Sequence, residues 1–259
     1  MKRTSTQPAA WRTRASWRTR AALAVWLASC AAGAAAQALI SPVVVEFGPK
    51  QKIATVRVSL SEQAIKPMRL QSQLLQWRQD VHGAAVTQPS DDLIVTPRIS
   101  ELKPGQQQVL RVALRGALPA DTERAYRLVL EDIAEPSSVE LAGGAAVNFR
   151  MAYDLPVMVA PRGDFVTALR WRSCPVVADA PVSKGVCVRI LNTGNRRVKV
   201  QALMLAGQGW QRSLDLKEAA AVLAGDEREW IVPGAAEGAL QSVEVRTSTG
   251  QVVRAESGG

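Results

Sequence analysis

Residues 53–60 read IATVRVSL, an unbroken alternation. Ile53, Thr55, Arg57 and Ser59 fall on one side, and Ala54, Val56, Val58 and Leu60 on the other. A period of two is the signature of a half-buried strand and is incompatible with a helical face. Comparable apolar runs occur at 43–47, 68–77, 93–96, 108–114, 125–133 and 145–159. Turn signals separate them: Phe47-Gly48-Pro49, His82-Gly83, Gln88-Pro89-Ser90-Asp91 and Lys103-Pro104-Gly105. Seven short strands with few helical patterns between them predict an immunoglobulin-like β-sandwich of about 120 residues.

Ala160-Pro161-Arg162-Gly163 punctuates this pattern and reads as an elbow. Strand patterns resume at 165–171, 186–191, 197–205, 228–232 and 242–247, with turns at Asn192-Thr193-Gly194-Asn195 and Gly225-Asp226. The expectation is an all-β chain of two sandwiches, 39–160 and 161–259, behind a leader at 1–38. Periodicity leaves 214–223 open between a helical turn and a strand. The polar tail after Arg254 is expected to fray.

The leader sets the compartment. Residues 1–38 carry Lys2, Arg3, Arg12, Arg14, Arg18 and Arg20 and no acid, which accounts for much of the net charge of +9. An apolar, alanine-rich stretch follows at 21–36, and Ala36-Gln37-Ala38 suits signal peptidase. The stretch is short of the roughly 20 apolar residues that a membrane span needs. Leu27-Ala28-Ser29-Cys30 offers a second reading, a lipidation box that would tether the protein through Cys30. Either reading predicts an exported chain, with no stable membrane insertion of the mature protein. In an oxidising compartment Cys174 and Cys187 can form a disulfide, and two buried free thiols are the alternative.

Composition excludes several chemistries. The one histidine, His82, and three cysteines rule out sites with two or more histidines and a four-cysteine metal site. A Ser-His-Asp triad would have to use His82, a turn residue. No catalytic residue, metal or cofactor is expected, and the chain reads as a non-enzyme. Arg196-Arg197-Val198-Lys199 is a small basic cluster that reads as a solvated strand face, so no nucleic-acid partner is expected either.

The segment 139–157 is unusual. Val139, Leu141, Ala145, Val147, Phe149, Met151, Tyr153, Leu155 and Val157 share one parity, with Gly143 the gap in the series. Such a ladder exceeds a typical strand of about 5–6 residues. One reading buries these residues in the domain's own core. In the other, part of the ladder is kept for a partner, because an unpartnered apolar edge invites aggregation. Strand addition would supply the partner's contacts, main-chain hydrogen bonds with alternate side chains filling grooves.

The chain resembles the PapD-like periplasmic pilus-assembly chaperones, closest to the archaic, spore-coat-U-like chaperone–usher branch. The resemblance rests on Ile40-Ser41-Pro42-Val43, Asp91 through Pro97, Leu102-Lys103-Pro104-Gly105-Gln106, Val109-Leu110-Arg111-Val112, Tyr126 through Glu131, Asp154 through Pro161, Ile190 through Asn195 and the strand holding Trp230. It implies two immunoglobulin-like domains arranged as a boomerang, the last strand of the first, G1, being lent to a pilin-like subunit that lacks one of its own. It further implies delivery to an outer-membrane usher, without ATP.

On this resemblance Val147, Phe149, Met151, Tyr153 and Leu155 would contact the subunit. Typical members also anchor the subunit's C-terminal carboxylate on an arginine in the first strand and a lysine late in G1. Val44 and Asp154 stand at those positions here. Arg127 and Arg150 are the replacement candidates, since a guanidinium offers a fork to a carboxylate. The bland alternatives are solvated charges, or pairing of one with Asp154. Self-capping of the free protein as a dimer stays open. The rival reading is a non-chaperone periplasmic or lipidated structural or adhesion component.

Overall fold

The computed structural model describes residues 38–116, 121–135, 137–140, 146–176, 185–234 and 238–258; the side chains of 137–140 and 146–149 are not among the described atoms. Residues 1–37 of the leader, Cys30 among them, lie outside these residues, and Ala38, expected as the leader's last residue, is the first residue of a strand.

The described residues form strands and no helix. The first set is β1 (Ala38–Ser41), β2 (Val45–Phe47), β3 (Ile53–Leu60), β4 (Met68–Gln79), β5 (Ala85–Pro89), β6 (Leu93–Thr96), β7 (Ile99–Leu102), β8 (Gln107–Leu114), β9 (Arg124–Asp132), β10 (Ser137–Glu140), β11 (Ala146–Phe149) and β12 (Ala152–Val159). One sheet runs β1-β3-β8-β6; the other runs β2-β12-β9-β4-β5, with β7 also on β4. Their inner faces enclose one core. Val56, Val58, Leu70, Leu110, Val112, Tyr126, Leu128, Leu130 and Val157 are fully buried there. Each such side chain contributes about 1.5–3 kcal/mol on leaving water. The alternation of 53–60 appears as designed by its pattern: Ala54, Val56, Val58 and Leu60 are buried, and Ile53, Thr55 and Arg57 are exposed.

The second set is β13 (Leu169–Cys174), β14 (Gly185–Asn192), β15 (Val198–Gly207), β16 (Trp210–Val222), β17 (Glu227–Pro233), β18 (Leu240–Thr247) and β19 (Val252–Ser257). They are ordered β16-β15-β18-β19-β13-β14-β17 around a separate core that includes Val188, Ile190, Leu203, Leu205, Val232 and Val245. The molecule is thus two immunoglobulin-like sandwiches. The turn at 192–195 is closed by a buried Asn192 side chain, which donates to the carbonyls of Arg196 and Val222. Gly194 is required there, since a Cβ would lie 2.3 Å from the carbonyl oxygen of Val166.

Three expectations change. The undecided 214–223 falls mostly in β16, a strand to Val222 held by β15. The tail does not fray. β19 pairs with β18 and β13, and Gly258 N–H donates to the carbonyl of Trp171, so main-chain bonding overrides its polar composition. The single strand expected over 145–159 is two. β11 pairs with β10 in a hairpin, β12 pairs with β9, and Arg150-Met151 separates them. More residues intervene on the β9–β10 side (Ile133 to Pro136) than on the β11–β12 side, so the ladder cannot stay in register across the break.

Candidate functional site

β12 has an open side. Along its whole length it pairs with β9, but β2 covers only Val157–Val159 on the other flank. Among the described residues Ala152–Pro156 therefore pair on one side alone. The direction of their main-chain groups follows from one bond. Asp132 N–H donates to the carbonyl of Met151 at 2.9 Å. In an antiparallel ladder such pairs recur every second residue. Met151, Tyr153 and Leu155 thus turn their main-chain groups toward β9, and Ala152, Asp154 and Pro156 turn theirs to the open flank. Pro156 lacks an N–H and so costs the ladder nothing there.

The side chains of this strand divide by face. Val157 and Leu155 lie in the first core, Leu155 only 4% exposed. Tyr153 is partly buried against that core, and Met151 is 52% exposed. The apolar ladder thus leaves the protein's own core between Tyr153 and Met151. Leu155, expected to contact a partner, is a core residue because the opposite sheet already covers it. Val147 and Phe149 lie on β11, outside the described side chains.

The other face holds the cations. Arg127 sits opposite Pro156 on β12 and Leu75 on β4; Asp154 sits opposite Val129. The Arg127 guanidinium lies 3.7 Å above the Trp77 ring and 3.6 Å, Nη1 to Oδ2, from Asp154. Its side chain is 19% exposed, and Nε is buried without a hydrogen-bond partner. A stacked, poorly hydrated guanidinium is a ready donor to a carboxylate. Arg150 is in a different setting, an exposed pair with Glu131 at 3.4 Å. Of the two candidate anchors, only Arg127 is built into the sheet.

Arg127 stands beside the junction of the two sandwiches. Trp77, Ala125 and Met158 from the first bury Leu223 from the second. Asp226, also buried, accepts from Arg78 Nε at 2.6 Å and from the Gln79 N–H at 2.9 Å. Gln79 Oε1 accepts from the Leu223 N–H, and the Glu229 N–H donates to the Val81 carbonyl. Across the junction Arg197 bridges Glu123 and Glu46. Arg197 was expected on a solvated face; two carboxylates from the first sandwich bury it instead.

None of these junction residues carries a motif. Trp77 leaves one trace, since it is buried at the wrong parity for β4, whose core residues are Met68, Leu70, Ser72 and Leu74. Nearby, Tyr126 donates to Asp92 at 2.7 Å, and burial followed by Asp92 pushes its phenol well above the ordinary range.

Cys174 and Cys187 face each other across β13 and β14 and are joined by a disulfide. The Glu229 carboxylate lies close to both sulfurs, but sulfurs held in a disulfide offer no thiolate to a metal. Among the described residues no helix is long and apolar enough to cross a membrane.

Residues 38–164 match the family model of the pili and flagellar-assembly chaperone, PapD N-terminal domain. No curated protein sequence matches the chain. Among solved structures, a chain of the CsuC–CsuE chaperone–tip adhesion subunit pre-assembly complex, from the archaic chaperone-usher Csu pili of Acinetobacter baumannii, is 17% identical. It superposes with a TM-score of 0.61 over 86% of this chain and 100% of that one. A chain of a chaperone–tip adhesin complex of CFA/I fimbriae biogenesis is 13% identical, with a TM-score of 0.57 over 85% and 99%. The class 5 fimbriae chaperone CfaA is 13% identical, with a TM-score of 0.55 over 84% and 98%.

Proposed function

We propose, from the premise that this chain belongs to the PapD-like pilus-assembly chaperones, that it lends the open flank of β12 to pilin-like subunits that lack a strand and passes them to an outer-membrane usher. The family is non-enzymatic, and its work is done by binding. The observation that carries the reading is the one-sided pairing of Ala152–Pro156 beside an exposed Met151.

An incoming strand would accept from and donate to the main-chain groups of Ala152 and Asp154. Each such bond contributes about 0.5–1.5 kcal/mol net. Met151, and Val147 and Phe149 on β11, would supply the alternate side chains that fill the client's groove. The client's terminal carboxylate would dock on Arg127, which Trp77 holds in place beside the junction. Arg150, loosely paired and exposed, serves as a secondary attraction.

The site of action is the periplasm, reached through the leader at 1–38, with the domain division at 160/161. Pairing between two copies through the same flank competes when no client is present.

The test is co-expression of the chain, in an exporting host, with secreted pilin-type subunits that lack their last strand. A one-to-one complex on size exclusion, with amide protection gained at Ala152 and Asp154, is the expected result. A complex that forms while those amides stay unprotected would overturn the proposal.

A further inference from the structure

We propose that Asp154 is a built-in competitor for Arg127, a carboxylate that the chain lays on its own anchor until a client's terminal carboxylate displaces it. This rests on the anchor reading of Arg127 given above.

The argument is geometric. Arg127 and Asp154 share one face of the sheet, two residue pairs apart along the β9–β12 ladder. Trp77 covers one face of the guanidinium. Nε is buried, so no outside group can reach it. The edge left for a two-pronged carboxylate contact is that of the terminal nitrogens, and Asp154 Oδ2 lies against Nη1. A client carboxylate and Asp154 therefore compete for the same edge.

The internal pair is also loose. Its 3.6 Å separation exceeds the range of about 2.7–2.9 Å for a charge-assisted hydrogen bond, and Asp154 is 53% exposed. A carboxylate whose task was to position Arg127 would sit closer and deeper, and Trp77 already fixes the plane of the guanidinium. Of the other acids on this face, Glu131 pairs with Arg150 at 3.4 Å, Glu46 pairs with Arg197, and Glu101 lies beyond β4 opposite Arg69, so Asp154 is the acid that reaches the anchor.

Such a competitor changes what the site selects. It lowers the affinity for every carboxylate by a constant factor. A client must then bring a paired strand as well as a free C-terminus to be retained, and a loose anion such as acetate gains little. It also keeps a desolvated guanidinium from standing bare between clients.

The experiment uses two synthetic peptides of alternating valine and threonine, identical except that one ends in a free carboxylate and the other in an amide. Binding to the purified protein is followed by calorimetry for the unmodified chain, Asp154→Asn, Asp154→Glu and Arg127→Ala. Exposed pairs of this kind predict that Asp154→Asn binds the free-acid peptide about two- to five-fold tighter than the unmodified chain, and the amide equally well. Asp154→Glu, which keeps the charge, should remain within about two-fold of the unmodified chain. Circular dichroism establishes that each variant is folded. Equal or weaker binding of the free acid by Asp154→Asn, while the unmodified chain still prefers acid over amide, overturns the competitor and leaves the anchor standing. If the unmodified chain and Arg127→Ala both fail to distinguish acid from amide, the anchor itself falls, and the competitor with it.

Discussion

Arg127 lies over Trp77 with its guanidinium carbon 3.7 Å from the ring centroid, and the same tryptophan buries Leu223 of the second sandwich. One aromatic side chain thus serves two elements, the proposed anchor and the junction between sandwiches. Anything that moves the junction moves the ring, and with it the guanidinium. This places the carboxylate contact and the relative setting of the two sandwiches under one control.

Truncating Trp77 separates its two roles. Trp77→Ala empties the junction and should lower stability to urea by about 3–5 kcal/mol. Trp77→Phe keeps a ring under Arg127 and removes an indole N–H that is buried without a partner. That substitution should cost less than about 1.5 kcal/mol and leave peptide capture nearly intact. Equal losses from Phe and Ala would mean that the ring is not what holds Arg127.

The strand framework was open to reading because burial in a sandwich imposes period two on each element. Ala54 to Leu60, Leu93 to Thr96 and Val243 to Val245 all carry that mark. The break at Arg150-Met151 left none, since the parity of apolar residues continues through it. What divides the run is pairing with β10, a long-range choice. The junction was hidden for a related reason. Asp226, Glu123 and Arg197 are ordinary charged loop residues until the two sandwiches bury them against each other, and burial between distant segments has no period. Arg127 could be singled out through its family resemblance; its partners Trp77 and Asp154 needed the register of β4, β9 and β12.

The disulfide should stabilise locally and leave binding alone. It closes a loop with a sequence separation of 13, for which the chain-entropy model gives about 3 kcal/mol. A Cys174→Ala, Cys187→Ala double variant should therefore show a lower Tm by calorimetry. Its affinity for the free-acid peptide should match the parent, because β12 and Arg127 belong to the first sandwich. A loss of capture at temperatures where the variant is folded would tie the disulfide to the docking site.

Alkaline titration has a definite sign. Burial and Asp92 raise the Tyr126 phenol far above its ordinary 10.0, and burial and then Asp132 raise that of Tyr153. A raised value in the fold means that the neutral phenol is favoured there. This stability is complete below pH 10 and is lost as pH rises beyond it. In that window Tyr126 alone should contribute a slope of about 1.4 kcal/mol per pH unit. Urea unfolding of the parent and Tyr126→Phe at stepped pH isolates it, and the variant should show the shallower decline. Phenolate absorbance growing in at pH 10 with no accompanying loss of stability would contradict the assignment.

The direction of main-chain groups along β12 makes the sharpest test, because the same substitution one residue apart should act oppositely. Ala152 turns its N–H to the open flank; Tyr153 turns its own toward Leu130 on β9. Proline deletes the N–H at either position. Ala152→Pro removes a donor that nothing in the free chain uses, and the strand already carries a proline on the same flank four residues along, at Pro156. Its stability should stay within about 1 kcal/mol of the parent, since proline is tolerated on an open strand edge. A client strand would lose a bond and meet the ring, so capture should fall at least several-fold, one lost bond being worth about 0.5–1.5 kcal/mol before the clash is counted. Tyr153→Pro breaks a ladder bond to β9 and strips a side chain packed on the core, so it should unfold or severely destabilise the first sandwich. Measuring urea midpoints and peptide affinity for both variants decides the phase. Were Ala152→Pro the destabilised variant and Tyr153→Pro the silent one, the flank offered to a client would be the wrong one, and strand addition at β12 would have to be abandoned.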